Sequence, residues 1–170
     1  PDVDVKVGLM IHQHSDFYQR LSDNDKIYFR HRVALYLQSK EFMPQAFERV
    51  PEDIKGMLAA AAIQITFGRD DFLMEPYDNI VVYPDAFPSP QYPKDRHCTE
   101  VFSEDGVLLV SARHVAHGFR ESNAYYPTAI HSFVNVFLST HPALDYPESP
   151  VDTWEGIEAV SGFSGQRIRE

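Results

Sequence analysis

Four consecutive alanines, Ala59 to Ala62, lie inside an apolar run from Met57 to Ile65. Side chains that small allow another element to approach closely, so this run predicts a helix at the centre of the core. Val50-Pro51-Glu52-Asp53 opens it, with proline suited to a first helical position and acids complementing the helix dipole. Gly68 marks a plausible stop. Almost directly after it comes Asn79-Ile80-Val81-Val82-Tyr83, ended by Pro84, which reads as a short buried strand. A central helix delivered so soon to a buried strand calls for a mixed α and β domain.

The flanking segments fit that frame. Ser22 with Asp25 forms a capping signal, and Phe29, Val33, Tyr36 and Leu37 recur at helical spacing to about Gln38. Lys26, Arg30 and Arg32 on this helix read as its solvated face. Residues 1–10 alternate polar and apolar, which suggests a strand or an arm reaching to about residue 20. On such a strand His12 and His14 would point the same way. Four prolines, at 84, 88, 90 and 93, make residues 84–97 an extended loop. Its aromatics Tyr83, Phe87 and Tyr92 either pin it to the core or rim a cleft. Asp105-Gly106 turns the chain between Val101-Phe102 and a strand Val107 to Val110, a hairpin pattern. His114 to Gly118 reads as a short helical turn, and Pro127 to about Ser139 as a helix. From about residue 141 the signal breaks up into an irregular tail, in which Trp154 to Val160 reads as one more short helix. The whole of 1–170 is taken as one domain.

Composition narrows function. A net charge of −10 disfavours nucleic acid as a partner, since that needs a basic face. No apolar run reaches the 18 residues or so that a membrane span needs. Cys98 is the single cysteine, so no intrachain disulfide forms, which favours a reducing, cytoplasmic setting. The adjacent His97 does not by sequence position make Cys98 a nucleophile. Pro1 in place of methionine points to upstream sequence that has been removed, with a leader or anchor among the options.

The chemistry turns on His131-Ser132-Phe133-Val134-Asn135. A zinc peptidase helix carries His-Glu-x-x-His: two histidines on one helical face hold zinc, and the glutamate is the general base. Here His131 is the first of these; without zinc it reads as a buried imidazole hydrogen-bonded to a neighbour such as Asn135, one turn on. Ser132 cannot accept a proton from a metal-bound water near neutral pH, and Asn135 offers only a neutral amide. Using Ser132 as a nucleophile with His131 as base is disfavoured, because neighbouring helical residues diverge by about 100°. A rebuilt zinc site is the alternative, with His131 joined by His114 and His117.

The runs RVALYLQSKEF, VPEDIKGMLAAAAIQITFG, NIVVYPDAF and DGVLLVSARHVAHGF, in that order, resemble the Mlc titration factor A (MtfA) family of zinc-dependent peptidases, over about residues 26–140. The resemblance implies an α+β, zincin-like fold of gluzincin type, with helices around a small mixed sheet. It implies Asn-x-x-x-His-Glu-Phe-Ala-His on the helix beginning near residue 126, so that His131 matches the first ligand, Phe133 the aromatic, Ser132 the glutamate and Asn135 the second histidine. It also implies a later glutamate ligand and a tyrosine, for which Glu155 and Glu158 arrive too early. If the chain is a fragment, sequence beyond Glu170 would restore that glutamate but neither Ser132 nor Asn135 to the motif. In active zincins a strand bordering the cleft takes extended peptide as an extra strand. The implied groove is Val107, Leu108, Leu109, Val110 and Ser111. The expectation is a non-catalytic relative of the peptidases that binds a peptide or protein, a transcriptional regulator being one partner the resemblance suggests, without a cofactor. The alternative is a metal-dependent hydrolase using zinc at His131 and other histidines.

Overall fold

The structure, a computed structural model, describes residues 1–89, 91, 93–145 and 155. Ser22 caps the long helix as its sequence suggests: its Oγ accepts the Asp25 N–H at 3.2 Å and donates to the Asp25 carboxylate at 2.7 Å. The N-terminal segment departs from expectation. Residues 5–20 are two helices, α1 (Val5–His14) and α2 (Asp16–Arg20). Asp4 caps α1 by accepting the Lys6 N–H at 2.8 Å, and Val7, Met10 and Ile11 give it a buried face at helical spacing. That spacing outweighs the short alternation before it. His12 and His14, two apart on a helix, therefore diverge instead of sharing a face.

Helix α3 (Asp23–Ser39) leads into strand β1 (Glu41–Pro44), and helix α4 (Glu52–Thr66) follows. All four alanines of α4 are buried, and α1, α3 and two later helices pack around it. Close approach is literal at Gly56, where a Cβ would stand 2.7 Å from Val7 Cγ1. The N-terminal segment is thus part of the core and not an arm. Arg32 is another departure: it is buried, its guanidinium lying 4.4 Å from the ring centres of both Tyr28 and Phe72. It donates to the carbonyls of Thr66 and Phe67, each at 3.3 Å, and to that of Arg69. The last turn of α4 has no basic residue of its own, and Arg32 supplies the cation its exposed carbonyls favour.

The sheet comprises β1, β2 (Asn79–Tyr83), β5 (Thr99–Phe102) and β6 (Val107–Ser111), in the order β1-β2-β6-β5. The first three in space are parallel, and β5 runs antiparallel to β6 as a hairpin partner. Ile80, Val82, Leu108 and Val110 join α4 in the core. Between β2 and β5 the described residues of the proline-rich loop make a two-residue ladder, β3 (Phe87–Pro88) with β4 (Arg96–His97). Phe87 is buried and stacked on Tyr83 at 4.4 Å, so these aromatics pin the loop; Tyr92 lies outside the described residues. Helices α5 (Ala112–Arg120) and α6 (Thr128–Thr140) complete the fold, and of the expected helix at 154–160 only Glu155 is described. The result is α+β, with helices around a small mixed sheet. Among the described residues no helix is long and apolar enough to cross a membrane.

Candidate functional site

Helix α6 is held by its middle. Phe133 is buried and meets Tyr36 edge-on at 6.1 Å, and Ala129 and Val136 join the same core. Its start is placed by Gly118 on α5, where a Cβ would stand 2.2 Å from the Tyr126 carbonyl oxygen. The α5–α6 connection therefore crosses α5 in direct backbone contact, which only glycine permits.

That anchoring sets where the motif residues go. His131 faces solvent, not the core. Its Nε2 accepts the Asn135 amide N–H at 3.1 Å, and the Tyr126 ring lies 5.3 Å away. The expected His–Asn contact is present; the burial expected for His131 is not. Ser132 points the opposite way and is fully buried. Its Oγ donates to the Thr128 carbonyl at 2.7 Å and lies 2.6 Å from Thr99 Oγ1 at the start of β5. A hydroxyl has one proton, so Thr99 donates to Ser132. His131 and Ser132 thus face apart, and no serine–histidine pair forms.

His114 and His117 share a cavity of about 470 Å³ at the start of α5 with Asp85, Arg113, Tyr125 and Tyr126. His114 Nδ1 lies 2.7 Å from Ser111 Oγ and 3.8 Å from Asp85, while His117 lies 4.9 Å from the Tyr125 ring. Asp85 titrates below its ordinary value, first through the Ala86 N–H and next through Arg113. Tyr126 titrates above its own, through partial burial and then the nearby Cys98. His131 does not line this cavity. Among the described residues no group of three histidines, cysteines or acids could hold a metal ion, so the His114, His117 and His131 set does not assemble.

The groove needs a correction too. Val107 to Ser111 is an interior strand, paired with β2 on one side and β5 on the other. Its backbone groups are taken, and it cannot receive a further strand. Among the described residues, the edge of the sheet beside α6 is β5. Ser111 N–H bonds the Cys98 carbonyl, so by antiparallel alternation Glu100 and Phe102 also face β6. Thr99 and Val101 then turn their backbone N–H and C=O outward. Sequence reasoning placed both strands of this hairpin but not which one closes the sheet.

The model of one protein family, described as glucose-regulated metallo-peptidase M90, matches residues 2–137. The chain belongs to this family. No curated protein and no solved structure matches it. M90 proteins are metallopeptidases, so the residues on α6 can be tested against the metal the family implies. They do not fit zinc. The helix offers one imidazole whose Nε2 is engaged by an amide, the amide itself, and a buried hydroxyl satisfied by two other partners.

Proposed function

We infer that this M90 member is a non-catalytic relative of the metallopeptidases that works by binding an extended peptide or protein segment along β5. The observation that carries this reading is the state of position 132. A general base must reach a water in an open cleft, and Ser132 is sealed between Thr128 and Thr99 with no basic atom to offer. A strand edge with the outward backbone groups of Thr99 and Val101 can pair with a partner by β-augmentation without any metal. The chain's charge of −10 argues against nucleic acid as the partner. A transcriptional regulator is the partner class the family resemblance suggests, and the lone Cys98 suits the cytoplasm.

The test is metal content of the purified, tag-free protein by mass spectrometry, with thermal melts before and after adding zinc. The expected result is no stoichiometric metal and no stabilisation by zinc. One zinc per chain that is lost in His131→Ala would overturn the reading in favour of a hydrolase with a rebuilt site. A proline at Val101, which removes an outward N–H, should then abolish capture of a peptide that binds the wild type.

A further inference from the structure

Ser132 occupies the motif position of the family's general base, yet it is 0% exposed. Its proton goes to Thr128 one turn back, and its lone pairs receive the hydroxyl of Thr99, 33 residues away in sequence. Thr99 opens the edge strand, and Ser132 lies on the face of α6 turned toward it. The hydroxyl pair therefore ties the helix to the strand at the spot where a glutamate carboxylate would have to stand. A glutamate there brings one extra methylene and a carboxylate in place of a hydroxyl into a closed space. Its charge would meet the Thr128 carbonyl, which repels it, and one threonine hydroxyl, too little to offset lost hydration.

We propose that the Ser132–Thr99 pair is a structural lock, so that the departure from the metal motif is built into the packing of α6 on β5 and cannot be reversed by restoring the motif residues. Ser132→Glu with Asn135→His rewrites the pentapeptide to the family pattern, but it drives a carboxylate between helix and strand and leaves no zinc site. This goes beyond the binding reading. Zinc in the wild-type protein would end that reading, whereas the coupling of positions 99 and 132 is measured without metal.

The experiment is a thermal double-mutant cycle of the full chain, comprising wild type, Ser132→Ala, Thr99→Val and both together. Beside it go Asn135→His alone and Ser132→Glu/Asn135→His, with zinc uptake by mass spectrometry. Ser132→Ala strands the Thr99 hydroxyl, and its Tm should fall by roughly 4 °C; Thr99→Val leaves Ser132 donating to Thr128 and should cost about half as much. The double should lose clearly less than the sum, because no hydroxyl is left unpaired. Asn135→His is on the exposed face and should melt within about 2 °C of wild type. The rewritten motif should lose roughly 10 °C or fail to fold, and take up no stoichiometric zinc. Strictly additive losses at 99 and 132 would overturn the proposal. So would a rewritten motif that melts like wild type and binds one zinc.

Discussion

The two ends of α6 each carry a histidine, and the protein treats them in opposite ways. At the N-terminal end His131 stands in solvent against a single amide at 3.1 Å. At the C-terminal end His141 is largely enclosed, with 13% of its side chain exposed. Its Nε2 lies 2.7 Å from Asp71, its Nδ1 lies 2.9 Å from Thr140 Oγ1 and 3.1 Å from the Phe137 carbonyl, and its ring stacks on Phe137 at 4.3 Å. Asp71 is in turn gripped by Arg69 through two bonds of 2.8 and 2.9 Å. The histidine that the resemblance sets at the first ligand position is the loosely held one. The histidine outside the motif ties α6 to the loop between α4 and β2. A ligand needs neighbours that fix its ring, and here that investment lies at the other end of the helix.

Removing what both ends share should have the largest effect. Phe133→Ala empties a buried site against Tyr36 and should cost about 4 kcal/mol in urea melts, loosening both ends together. Gly118→Ala attacks the N-terminal end alone. The new Cβ meets the Tyr126 backbone, so roughly 2–3 kcal/mol should be lost. Amide exchange should quicken at Thr128 and His131 while the His141 amide keeps its protection. Uniform quickening along the helix would mean that the ends are one unit.

Asp71→Asn probes the C-terminal end. Asp71 is about half exposed, so after solvent screening the loss should be about 1 kcal/mol at pH 5. The effect has a pH signature. Arg69 first, and His141 next, hold the Asp71 carboxyl below its ordinary 3.8. A depressed carboxyl contributes stability in full above its unfolded pKa and loses it as pH falls through the folded one. The gap between wild type and Asp71→Asn should therefore narrow as pH drops below about 4. A gap that widens in acid would contradict the assignment. The smallest effect belongs to the motif histidine. His131→Ala should change stability by less than about 0.5 kcal/mol, as for other exposed positions. A loss as large as that of Asp71→Asn would break the contrast between the ends.

Much of the site's framework was legible in the sequence because it is local. The Ser22 cap, the alanine helix, the Asn79–Tyr83 strand and the 101–110 hairpin each depend on neighbours a few residues away. The His131–Asn135 contact is of the same kind, one helical turn long. The misreadings have a common physical cause. Arg32 sits in a charged helical stretch, and only the carbonyl end of α4, more than 30 residues on, explains its burial. The alternation in residues 1–10 resembles a strand until α4 presents Gly56 to receive α1. The contact of His141 with Asp71 spans 70 residues, and no local pattern links the two.

By itself the sequence determined the elements from Ser22 to Gln38, the alanine helix, the Asn79–Tyr83 strand, the 101–110 hairpin and the family, since periodicity, caps and turns follow from each residue and its near neighbours. It also determined that Ser132 and Asn135 stand beside His131, neither of them a general base or an imidazole, which is a matter of residue identity. Tertiary structure alone decided that, among the described strands, β5 lies at an edge of the sheet and β6 inside it, because edges depend on which strands meet. It alone decided that Ser132 turns inward onto Thr99 while His131 turns out, because helix rotation is set by the core packing of Phe133 and Val136.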